Sequence, residues 1–151
     1  MIEGKTEGFN GKVGIVVARW NSMITNALLD GAMNALKGQG LADDQIEIVK
    51  CPGAFEIPLT AKFLTNKNDI DGVLTLGAVI RGDTPHFDYV CNAVTDGVRD
   101  LNMESLKPVI FGILTTDDVK QAQERAGEKG NKGAEGALAL LEMISIKRQI
   151  S

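Results

Sequence analysis

Four short runs dominated by valine, isoleucine and leucine recur along this chain, each followed by a longer stretch with apolar residues at helical spacing. They are residues 12–19, 46–50, 72–80 and 108–114. A continuous apolar run rich in β-branched residues marks a strand buried on both faces. Strands alternating with helices fold as a parallel sheet with helices on both sides, because each crossover lays its helix over the sheet. The expectation is therefore a four-stranded parallel α/β protein.

The stretches between the runs fit that pattern. Asn21 or Ser22 can cap a helix carrying Ile24, Leu28, Ala32, Ala35 and Leu36, and Gly38 and Gly40 end it. Cys51-Pro52-Gly53-Ala54 reads as a turn, followed by a helix with Phe55, Leu59 and Phe63 on one face. A third helix runs from about His86 to Ser105 with Val90, Val94, Val98 and Leu101 inward. A short helix starts at Thr115-Thr116-Asp117-Asp118 and ends near Ala126-Gly127. After a loop at 128–133, the last helix holds Leu138, Leu141, Ile144 and Ile146. Residues 11–151 make one domain, the usual size for a chain of 151 residues. Residues 1–10 are left as an N-terminal arm, too polar for the core and placed to reach a neighbouring subunit.

Charge and cysteine usage narrow the function classes. Twenty acidic residues against sixteen basic ones, with no basic block, make a poor partner for nucleic acid. No apolar run reaches the ~18 residues of a membrane span. Met1-Ile2-Glu3-Gly4-Lys5 has no apolar stretch behind it, so no secretory signal is expected. Cys51 and Cys91 form neither a disulfide framework nor a zinc spacing, and read as buried thiols of a reduced, cytoplasmic protein. No Walker A loop, G-x-G-x-x-G or zinc-protease motif occurs, and no metal is expected.

In an open parallel sheet, ligands bind beyond the carboxyl ends of the strands. Here those ends read Arg19-Trp20-Asn21, Cys51 to Glu56, Arg81 to His86 and Leu114 to Asp117. The only tryptophan and the only histidine fall on this edge, beside a carboxylate and glycine-flanked amides. Such a set suits a planar, polar small molecule. The Gly82-Asp83-Thr84-Pro85 loop leads into a helix N-terminus, favourable for an anion, though it also serves as a plain turn and cap. His86 is the one side chain whose ordinary pKa lies near neutrality, and its alternative role is structural. Trp20 either stacks on a heterocycle or serves as a core aromatic. Arg125, Lys129 and Lys132 form a basic cluster, whose alternative role is to balance a helix C-terminus. A helix from Asp117 to Arg125 carries Arg125 about 12 Å back from the carboxyl edge. His86 and Arg125 acting on one ligand would then need a site shared between chains.

At these residues the sequence resembles the 6,7-dimethyl-8-ribityllumazine synthase family, from about Gly11 to Lys147. The resemblance rests on Arg19-Trp20-Asn21, Pro52-Gly53-Ala54-Phe55-Glu56-Ile57-Pro58 and the segment from Gly77 to Asp88. It continues through Thr115-Thr116-Asp117, Arg125-Ala126-Gly127 and Gly130-Asn131-Lys132-Gly133. It implies a flavodoxin-like three-layer α/β/α subunit and a homopentamer, or a multiple of pentamers, with sites at the interfaces. It implies condensation of 5-amino-6-(D-ribitylamino)uracil with 3,4-dihydroxy-2-butanone 4-phosphate, in riboflavin biosynthesis, with no cofactor.

The resemblance also assigns roles. Trp20 matches the ring-stacking aromatic, where many members have Phe. Asn21 and Ala78-Val79-Ile80 match groups facing that ring. Ala54, Phe55 and Glu56 belong to the segment that binds the aminouracil and its ribityl chain. Asp83, Thr84 and Arg125 match the phosphate site, His86 the proton shuttle, and Phe111 and Lys132 groups from the adjacent subunit. Two rival readings keep the scaffold: a non-catalytic flavin or pterin binder, and a shell protein with a vestigial pocket. His86 and Arg125 favour the enzyme, since stacking alone needs neither. The resemblance further implies a loop at 128–133 with one residue fewer than expected of shell-forming members, which bears on the choice between pentamer, decamer and sixty-subunit shell.

Overall fold

Val13, Ile15 and Val17 point to one side of the first strand, Val16 and Ala18 to the other, and all five are buried. Two cores result, one on each face of the sheet, in a computed structural model that describes residues 1–151. The strands are β1 (Val13–Ala18), β2 (Ile46–Cys51), β3 (Gly72–Ile80) and β4 (Val109–Thr116). The helices are α1 (Ser22–Gly38), α2 (Ile57–Thr65), α3 (His86–Ser105), α4 (Val119–Arg125) and α5 (Lys132–Ile150). All strand pairs are parallel, in the order β2-β1-β3-β4. The expected three-layer α/β/α architecture is present.

Topology explains which helix lies where. The chain steps outward from β1 to β2, then reverses past β1 to β3. Because both crossovers share one hand, that reversal puts α1 and α2 on opposite faces. Leu28, Leu36, Leu140, Leu141 and Ile144 from α1 and α5 fill one core with Ile15 and Leu74. Ile57, Ala61, Val94, Val98 and Leu101 from α2 and α3 fill the other with Val16 and Val73. The reversal leaves a crevice between the carboxyl ends of β1 and β3, where open α/β sheets bind ligands.

Local differences from the sequence expectation have physical reasons. Thr115 and Thr116 continue β4 rather than starting a helix; the start falls to Asp118, whose carboxylate accepts the Gln121 N–H at 2.8 Å. A 3₁₀ turn, Ala54–Glu56, precedes α2, so Phe55 lies outside the helix proper. Phe55, Leu59 and Phe63 are each about 60% exposed, so this apolar face looks outward. The N-terminal arm lies along α5 of its own chain: Lys5 N–H donates to Ser145 Oγ at 3.1 Å and Gln149 Nε2 to Glu3 O at 2.9 Å. Phe9, expected among residues too polar for the core, is half-buried against it. Arg148 sits over the Phe9 ring at 5.2 Å and pairs with Asp71 at 3.3 Å. No helix is long and apolar enough to cross a membrane.

Candidate active site

Asn21 and Trp20 join the tips of three strands. The Trp20 N–H donates to Pro52 O at 3.0 Å, extending the β1–β2 ladder past both strands. Asn21 has φ 62° and ψ 46°, a left-handed conformation that asparagine tolerates better than most residues. It occupies the N-cap of α1, where its carbonyl accepts from Ile24 and Thr25, but its side chain does not cap. The amide instead donates to Ala78 O at 3.0 Å, tying the end of β1 to the end of β3.

The Trp20 indole lies against Gly53, where any Cβ would fall on the ring. Glu56 holds the turn beneath it: Oε2 accepts the Gly53 N–H at 3.0 Å, leaving Oε1 for a ligand. His86 opens α3 with an exposed side chain, and its backbone N–H donates to Thr84 Oγ1 at 3.4 Å. Trp20, Asn21, Ala54, Phe55, Glu56, Ala78, Val79, Ile80 and His86 line one cavity of about 560 Å³, together with Val90. An aromatic face, an amide, a carboxylate and an imidazole thus converge at the topological reversal.

The cationic residues gather elsewhere. Phe111 and Thr115 of β4, Arg125, Lys132 and Glu135 line a second cavity of about 410 Å³, which shares no residue with the first. Arg125 ends α4, and its Nη1 donates to Gln121 O at 3.0 Å. Lys132 Nζ lies 3.3 Å from Glu135. Lys129 lines neither cavity, so two of the three expected cations converge. Asp83 and Thr84 also line neither; both are exposed beside His86. Their loop is framed by Arg81, which pairs with Asp117 at 2.9 Å and Asp88 at 3.5 Å and stacks over Phe87 at 4.4 Å.

Sequence reasoning missed Val90, placed with the core, and Glu135, whose i,i+3 spacing from Lys132 was the available signal. Burial pushes the Cys51 and Cys91 thiols up, so neither offers a ready thiolate. No group of three or more His, Cys, Asp and Glu side chains is assembled to hold a metal.

The seat of the indole is testable. Gly53→Ala displaces the ring of the only tryptophan, and the emission maximum of the folded protein is expected to move. Aromatic stacking contributes about 0.5–1.5 kcal/mol, so a planar ligand should bind about 2–10-fold more weakly. Unchanged emission and affinity would mean that the ring does not rest on Gly53.

A family model described as 6,7-dimethyl-8-ribityllumazine synthase matches residues 10–148.

Proposed function

The chain belongs to the 6,7-dimethyl-8-ribityllumazine synthase family, and from that premise we propose that its active site forms between two copies of the chain. The reaction is the family's: this transferase of riboflavin biosynthesis condenses the ribitylaminouracil with the butanone phosphate to give dimethylribityllumazine. The observation that carries the shared-site reading is the separation of two complementary cavities with no residue in common.

In this reading the first cavity takes the aminouracil. Trp20 stacks on the ring, Asn21 and the Ala78–Ile80 backbone face its edge, and the Ala54–Glu56 turn receives the ribityl chain. Glu56 suits the last task, since Oε1 is a free acceptor for sugar hydroxyls. The second cavity, brought by the neighbour, supplies Phe111, Lys132 and Arg125. Arg125 meets the phosphate opposite Asp83 and Thr84, its planar fork matching phosphate oxygens. Imine formation and phosphate elimination both move protons, and His86 stands beside the Thr84 loop to carry them. Holding the two reactants together supplies much of the remaining rate.

The assembly is a homopentamer or a multiple of pentamers. The outward stripe of Phe55, Leu59 and Phe63 supports association, because a contiguous apolar patch marks an interaction surface. A cytoplasmic location belongs to the same reading, supported by two free thiols.

The test mixes both substrates with enzyme and follows lumazine absorbance across a dilution series, with light scattering on the same samples. Specific activity is expected to fall where the oligomer dissociates. A fully active single chain would overturn the shared site, and no acceleration over the spontaneous reaction would overturn catalysis by this chain.

A further inference from the structure

One side chain between Arg125 and Lys132 holds both ends of their connection. Asn131 Oδ1 accepts the Ala134 N–H at 3.0 Å, capping α5. Its Nδ2 donates to Ala126 O, directly after Arg125, at 3.2 Å, and to Ala27 O of α1 at 3.1 Å. A single amide thus joins the end of α4, the start of α5 and the middle of α1. The pairing of Ala126 with Asn131, and the Gly127 N–H on Gly130 O at 3.1 Å, close the rest of the loop.

Helix α1 is shaped to receive that amide. A Cβ on Gly31 would fall on it, and a Cβ on Gly133 would fall on the Leu28 carbonyl. Glycine inside a helix is a liability, and at Gly31 the space Asn131 needs accounts for it.

The two cations have no comparable anchor. Both are exposed; Arg125 holds Gln121 O and Lys132 pairs with Glu135. Exposed pairs of this kind constrain long side chains weakly. The spacing of the cations is therefore set by their backbone positions, and those positions meet at Asn131.

We propose that Asn131 is a positioning residue for phosphate recognition, fixing the separation of Arg125 and Lys132 through Ala126, Ala27 and the first turn of α5. The proposal rests on the reading of Arg125 as a phosphate ligand. It is distinct from a capping role, because the two donated bonds contribute nothing to the α5 cap.

Steady-state kinetics on the intact assembly test it with two variants. Asn131→Asp keeps the acceptor for Ala134 N–H and so keeps the cap, but loses both donors. Gly31→Ala disturbs the same amide from another helix while improving helix propensity. Each is expected to raise KM for the butanone phosphate about 10-fold, with kcat and the aminouracil KM within about 2-fold. In an Arg125→Ala background, Asn131→Asp should add clearly less than its roughly 10-fold effect on the wild type, because one of the two cations whose separation it fixes is already gone. Equal movement of both KM values, or a lowered melting temperature with unchanged kinetics, would overturn the proposal. If Asn131→Asp does not assemble, Gly31→Ala decides alone. An inactive wild-type enzyme would overturn the functional reading, and this inference with it. An active wild type with an unmoved butanone phosphate KM in the variants would overturn this inference only.

Discussion

Chains carrying His86→Ala and chains carrying Arg125→Ala, both impaired alone, are expected to recover about a quarter of wild-type activity when co-assembled in equal amounts, as a ring of head-to-tail contacts requires. Removing the imidazole should lower kcat roughly 10–100-fold, the usual scale of proton-transfer help. Removing the guanidinium should mainly raise KM for the butanone phosphate. His86 and Arg125 line separate cavities of one chain. In a mixed ring each site pairs the imidazole of one chain with the guanidinium of the next, and random incorporation leaves about one pairing in four intact on both sides. Sites confined to single chains would show no recovery, because every chain carries one lesion. Lumazine absorbance on well-mixed oligomers separates the two outcomes.

Leu74→Ala is expected to destabilise the fold by about 2–5 kcal/mol, the range for truncating a buried leucine. Leu74 is fully buried on the α5 face of β3, and Gly136 lets α5 approach so closely that a Cβ there would stand 2.7 Å from Leu74 Cδ1. Strand and helix backbones limit collapse into the vacated space, which keeps the loss high in that range. For a chain of this size the melting temperature should fall by about 5–15 °C, at matched concentration since association adds stability. A shift within about 1 °C would mean that this core is looser than its burial implies.

The strands were legible because burial on both faces leaves a continuous apolar run, as at β1 and β3, where no polar alternation interrupts the pattern. The order β2-β1-β3-β4 was not legible, since no local signal says which side of β1 receives β3. The apolar stripe of Phe55, Leu59 and Phe63 shows the limit of periodicity: spacing reveals that a face is apolar, not what covers it. Asn21 was recognisable as a helix start by residue type. Its left-handed backbone and its bond to Ala78 depend on a strand 57 residues away in the chain, and no capping rule contains them. Most residues of the two cavities were legible from motifs, Val90 and Glu135 excepted, and the expected length of the helix ending at Arg125 already argued that it does not reach the His86 of its own chain. The tie through Asn131 was not, because Ala27 and Ala126 offer backbone carbonyls, which every residue has.

The outward row formed by Phe55, Leu59 and Phe63 also sets the conditions under which newly made protein survives. In the proposed assembly, a freshly folded copy displays this surface until another copy hides it, so productive docking competes with precipitation from the first moment after synthesis. Yield in a producing cell then depends on how quickly matching copies meet compared with how quickly their exposed rows stick to other chains.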